Sequence, residues 1–437
     1  MVHSGSATRR VSLFRVVFAI FVMACAVSLP VFLSFRAPAQ ESWQPKERAK
    51  IRAVTVFVNL DRSTWQQQIA DAAKFLKYAK TLFESRGWQV ETIRIATQPF
   101  PKYTRGLTPE QTVAFFKQYD AVADKEGFAA AIGPAMFQPD SPASEADLLA
   151  EILQNSKRLN ASVVVAGDDG VRWGAVGAAA RVMKRLSNSE HSQGNFGFAA
   201  IAMVPPLTPF FPAAYGAGFG HQFAIALESA NVVQEAFRGA ADLSTAGRRL
   251  VDSLSRQAFE IQEHANRLDR ETGWAYAGID LSPAPNKDVS IGAAIESLTA
   301  QPFGSSGTLT AAATITAALK NIGVKQTGYS GLMVPVLEDS RLAQRWSEGR
   351  ISIDALLSYS AVCGTGLDTI PLPGDVTEEQ LSLIIGDMAS LAFKWHKPLA
   401  ARLLPVAGKT AGQQTEFDSP ALVNVTLQPF DRAAARP

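Results

Sequence analysis

The chain is poor in the residues that build the best-marked catalytic centres. Its 437 residues hold two cysteines and five histidines. His3, His191, His221, His264 and His396 lack metal-ligand spacing to one another, which argues against a histidine-rich metal site. There is no G-x-S-x-G elbow, no Walker loop and no H-E-x-x-H, so the familiar enzyme fingerprints are absent. Neither sign of charge dominates. Lysine and arginine number 42 against 40 acids, and Arg9, Arg10 and Arg15 supply much of the small excess. Without a basic stripe the chain has no electrostatic footprint for nucleic acid. Disulfides are equally scarce. Cys25 lies within an N-terminal apolar run, so removal of that run leaves Cys363 as the only thiol. Stability must then come from the core, for which a 47% hydrophobic composition is ample.

What is present begins with an address. Val11 to Phe35 is almost continuously apolar, interrupted by Arg15 and Pro30. Its unbroken part, Val16 to Leu29, is long for a signal-peptide core and short for a membrane span of ~20 residues. Ala37-Pro38-Ala39 fits cleavage before Gln40. We read residues 1–39 as a signal peptide or signal anchor, 40–50 as a connector, 51–430 as one domain and 431–437 as a tail. The expected location is exported, either periplasmic or membrane-anchored and facing outside the cytoplasm. The membrane would be met only through the N-terminal segment.

Within the domain, apolar strand patterns alternate with helical periodicity. Strands are expected at Ile51–Leu60, Val90–Ala96, Ala161–Ala166, Ala199–Val204, Tyr276–Leu281, Gly331–Val336 and Ala400–Val406. Helices are expected at Trp65–Arg86, Pro109–Gln118, Glu145–Asn155, Ala175–Leu186, Glu228–Phe237, Ala246–Arg267, Thr308–Leu319, Ser352–Tyr359 and Thr377–Leu391. This alternation predicts an α/β domain with a mainly parallel sheet and helical crossovers, open or closed.

Several acids follow strands or stand beside glycine and proline turns. Asp280 ends an apolar strand before Leu281-Ser282-Pro283. Glu338 and Asp339 close Gly331–Asp339. Asp368 follows Cys363-Gly364-Thr365-Gly366. In α/β folds ligands gather at the carboxyl ends of strands, so such acids are either site groups or helix caps. Asp375, before a helical run, reads better as a cap. Glu228 sits amid small and apolar residues, where a charge is expensive unless paired. Cys363 is either a small buried hydrophobe or a side chain in a tight functional loop. We expect Asp280, Glu338 and Asp368 to approach one concave pocket.

The same segments resemble the domain-of-unknown-function 711 family of bacteria and archaea. The resemblance rests on GIDLSPAP (278–285), GTLTAAA (307–313), GYSGLMVPVLED (328–339), CGTGLDTIPLPGD (363–375) and ARLLPVAGKTAGQQTEF (401–417). A further block spans residues 204–233, and IRAVTVFV (51–58) also matches. The resemblance implies a β/α barrel similar to that of pyruvate formate-lyase, with Cys363 on a loop comparable to the essential cysteine loop of glycyl-radical enzymes. No glycyl-radical signature surrounds Gly408 or Gly412, and an exported site suits such chemistry poorly, so radical catalysis is rejected.

The expected function is that of a hydrolase or lyase acting on a small polar or anionic molecule. The catalytic candidates are Asp280, Glu228, Cys363 and Asp368. The ligand-binding candidates are Ser282, Tyr329, Glu338, Asp339, Arg402 and Lys409. A divalent metal held by scattered carboxylates is compatible with this set. The alternatives are a non-catalytic binding or sensing protein of the cell envelope, or a barrel serving only as a scaffold. Expected partners are a small-molecule ligand and, in an oligomer, further copies of the chain.

Overall fold

The computed structural model describes residues 46–430. The apolar N-terminal run with its cleavage pattern, and the tail, lie outside the described residues. Among the described residues no helix is long and apolar enough to cross a membrane.

The fold is mixed α/β around one large sheet of ten strands. These are β1 (Lys50–Val58), β2 (Val90–Thr97), β3 (Ala129–Ala131), β4 (Leu159–Gly167), β5 (Gly170–Val171), β6 (Phe198–Ala202), β7 (His221–Glu228), β8 (Ala275–Asp280), β9 (Gly366–Pro373) and β10 (Leu399–Val406). The strands run in the order β8-β7-β1-β2-β3-β4-β6-β10-β9, with β5 folded back on β4. β1, β2, β3, β4 and β6 are mutually parallel. β7 joins β1 and β10 joins β6 antiparallel, and β8 and β9 extend these flanks in parallel.

Helices cover one face. Trp65–Ser85 turns Ile69, Ala72, Leu76, Ala79 and Phe83 inward, the three-and-four spacing read from the sequence. Pro109–Glu126 has a capping box from Thr108 and Gln111, a proline in its first turn and a left-handed Gly127 at its end. Glu378–Trp395 is capped by Thr377, whose hydroxyl accepts from the Gln380 amide, so the cap is Thr377 and not Asp375.

The other face is covered by irregular chain. Ala53, Ala199, Ile201 and Ala226 of the sheet pack against Phe210, Tyr215, Tyr329 and Met333 from two loops. The second loop contains Gly331–Val336, expected as a buried strand. It is buried but forms no strand, because its polar groups are engaged elsewhere. The Tyr329 and Ser330 amides donate to Asp280, Ser330 is in the left-handed region (φ 41°), and the Leu332 carbonyl accepts from the Gly364 amide. The longer stretch 325–336 does meet the sheet at both ends. The Ile279 amide donates to the Lys325 carbonyl and the Val336 amide to the Asp368 carbonyl. It therefore links β8 and β9, the two ends of the strand path.

Candidate functional site

Two irregularities in the sheet create the site. Opposite β7, Ile51 pairs with Leu227 and Ala53 with Ala226, so Arg52 is an extra residue in β1. Opposite β9, Ala401 pairs with Leu367 and Leu403 with Ile370, so Arg402 faces both Asp368 and Thr369. Thr369 takes φ 46° to accommodate this. Bulges of this kind re-aim side chains that alternation would send elsewhere. Arg94 needs no such device. It shares its face of β2 with Ala96, which packs on Ala131 and Ala214 on the loop side of the sheet.

The three arginines line one cavity of about 460 Å³. Glu338, Asp368 and Tyr329 line it too, with Phe196, Phe210, Phe211 and Met333 forming apolar wall. The cavity lies toward the amino ends of β1, β2, β3 and β4, reached at Arg52, Thr92, Ala129 and Leu159. The sequence reading looked to carboxyl ends. The Ala284-Pro285 turn after β8 meets that expectation here, and Phe210 to Ala213 come from the connection that follows β6.

The charges form a chain of contacts. Arg402, 8% exposed, donates from Nε to Asp368 Oδ1 at 2.7 Å and from Nη2 to Glu338 Oε1. Arg52 Nη2 lies 3.6 Å from the other oxygen of Glu338. Its Nη1 reaches Glu91 Oε2 at 2.9 Å and Glu228 Oε2 at 3.3 Å. Lys50 Nζ is 3.3 Å from each of these two acids. Burial and the hydrogen-bonded Glu91 carboxylate push Glu228 up to about 7, against the pull of Arg52 and Lys50. Burial likewise raises Asp368, which the Arg402 charge opposes.

Arg94 stands apart. It is 8% exposed, donates from Nε to Thr92 Oγ1 at 3.0 Å, and lies 4.9 Å from the Phe211 ring. Among the described residues no carboxylate comes within 4.0 Å of its guanidinium. Burial, reinforced by the nearby Arg52 charge, lowers it to about 9. Glu338 and Glu91 ease this only from a distance. A buried cation without a contacting counter-charge is costly, and a bound anion would lower that cost.

The candidates read from the sequence divide cleanly. Tyr329, Glu338, Asp368 and Arg402 meet at the cavity. Glu228 lies behind Arg52 and ends β7, whereas a helix was expected to start there. Asp280 does not line the cavity. Its Oδ1 accepts from the Ser282 amide (3.0 Å), the Ser282 hydroxyl (2.6 Å) and the Ser330 amide (2.9 Å), and its Oδ2 from the Tyr329 amide (2.7 Å). Asp280 and Ser282 thus fasten the Tyr329 loop to the end of β8, so only two of the three acids expected in one pocket meet there. Asp339 caps the helix Ser340–Ser347 and also accepts from Ser290 Oγ and the Ile291 amide. Cys363 is buried outside the cavity, and Lys409 pairs with Glu416 at 2.7 Å away from it. Among the described residues no group of three His, Cys, Asp or Glu side chains is placed to hold a metal ion.

Arg52 and Arg94 were missed. The available signal was an arginine interrupting each of two otherwise apolar strands, IRAVTVFV and TIRIA.

A family model described as "Uncharacterised ACR (DUF711)" matches residues 44–419. The chain is 31% identical to a UPF0210 protein of Pyrobaculum islandicum over 393 residues, covering 83% of this chain and 86% of the relative. A UPF0210 protein of Pyrobaculum aerophilum is 32% identical over the same length, with coverage of 83% and 86%. One from Acetivibrio thermocellus is 29% identical over 370 residues, covering 79% and 80%.

Proposed function

This chain belongs to the uncharacterised DUF711 family, and we propose that its cavity binds a small anionic molecule and acts on it as a hydrolase or lyase. The observation that carries this reading is Arg94, a buried guanidinium without a carboxylate partner that opens on a cavity. Arg52 and Arg402 add positive potential beside it and are themselves held by acids. Asp368, whose hold on a proton burial strengthens while Arg402 opposes it, is the acid/base group we assign, since it lines the cavity and Asp280 does not.

One observation favours a non-catalytic binding protein as the second reading. Both cavity carboxylates are engaged by Arg402. Thermal-shift screening of the purified protein against small carboxylates, phosphates and neutral analogues tests the anion reading. Stabilisation by anions that disappears in Arg94→Met supports it, and a protein indifferent to every anion sinks it. Asp368→Asn separates the two readings, because turnover would vanish while binding survives.

Two companion proposals concern the fold and the location. The strand path closes into a barrel, with residues 325–336 as the irregular stave between β8 and β9. Support comes from the backbone hydrogen bonds at both ends of that segment. The protein is exported, on the support of the apolar run before Ala37-Pro38-Ala39. N-terminal sequencing from the native host should read from near Gln40. A product starting at Met1 would leave only the anchor.

A further inference from the structure

Resting on that anionic reading, we infer that the ligand is a monocarboxylic acid with an aromatic or bulky apolar body. Charge sets the first part. Arg52, Arg94 and Arg402 face the cavity with Glu338 and Asp368, an excess of one cation. Lys50 and Glu91 behind Arg52 cancel, and Glu228, which burial beside Glu91 favours in its protonated form, leaves that excess of one in place. Lys157 and Arg158 at the rim are exposed, and Arg158 is paired with Asp124. A monoanion therefore neutralises the interior, whereas a phosphate dianion would bury a second, unmatched charge.

Shape sets the second part. Thr92 fixes Nε of Arg94 and Phe211 covers its plane. Neither Nη nitrogen has a protein acceptor among the described residues, so the edge left for a ligand is a two-pronged donor. A planar carboxylate fits that edge in bidentate fashion. The walls set the third part. Phe196, Phe210, Phe211, Tyr329, Met333 and Pro335 surround the charged group with ring and thioether surface. Such a wall desolvates an apolar body and leaves polar bodies unsatisfied.

Isothermal titration of the purified protein with 3-phenylpropionate, 3-phenylpropanol, acetate and inorganic phosphate tests this. The acid should bind about tenfold or more tighter than each of the other three. Arg94→Lys, which keeps the charge and loses the fork, should weaken the acid by about tenfold. Phe211→Leu should weaken 3-phenylpropionate and leave acetate unchanged, a comparison independent of how Arg94 variants fold. Acetate or phosphate binding as tightly as the aromatic acid, with dependence on Arg94, would overturn the ligand class and leave the anion site standing. An alcohol that binds as well as the acid, or no binding by any anion, would remove both.

Discussion

Gly331 and Gly364 meet backbone to backbone, so that a Cβ built on either would lie 2.7 Å from an atom of the other. The glycines around Cys363 therefore serve contact between two segments of the chain, which the Gly364–Leu332 hydrogen bond completes at 2.7 Å. Gly364→Ala should destabilise the protein by about 1–3 kcal/mol in urea unfolding. Because one contact is shared, the Gly331→Ala and Gly364→Ala costs should fall short of additive. A neutral Gly364→Ala would show that the two segments separate easily.

Arg94→Met should raise the stability of the ligand-free protein by about 1–3 kcal/mol, since it replaces a buried unpaired charge with apolar volume. The same variant should lose stabilisation by anions. A melting temperature that falls, with anion response retained, would refute the assignment.

Glu228 gives a pH signature. Its folded-state affinity for a proton is raised, from a reference of 4.5 to about 7, so its contribution is full at acid pH and is lost as pH rises through that interval. Glu91, held below its usual range, works in the opposite sense at lower pH. Glu228→Gln cannot ionise. Its stability relative to wild type should therefore climb between pH 5 and pH 8, by on the order of 1–3 kcal/mol. A stability difference flat across that range in parallel thermal melts would exclude a raised Glu228.

Cys363 should resist a thiol reagent in the native protein and react on unfolding, because it is buried and does not line the cavity. Native labelling blocked by an anionic ligand would return it to the site.

Asp280→Asn should cost about 2–4 kcal/mol, because the amide replaces one of two oxygens that together take four donors. Guanidinium unfolding measures it. A loss under ~0.5 kcal/mol would mean that the Tyr329 loop holds without this anchor.

Amphipathic helices were legible because each presents one apolar stripe to the sheet, as Trp65–Ser85 does. Strands with continuous β-branched runs, such as β1 and β2, were equally plain. β9 was hidden by Pro371 and Pro373, which an end strand of the path tolerates. β7 was hidden because Glu228 suggested a helix start. For the site, Glu338, Asp368 and Arg402 were visible as charges in distinctive surroundings. The departure of Arg52 from alternation was not, since a bulge is a property of two paired strands and its partner β7 lies far along the chain. Asp280 misled for a related reason. A strand-end acid is equally suited to catching loop amides or a ligand, and only the contacts separate the two.

The ion chain takes Arg52 from the first strand and Arg402 from the last. During synthesis the two early arginines emerge long before Glu338, Asp368 and Arg402 exist to join them. The cavity wall is thus incomplete until the last strand has been made. Glu338, paired with Arg402 and facing Arg52, clasps the opening and closing strands of the chain together. An anion bound as proposed would tighten that clasp as its concentration rises.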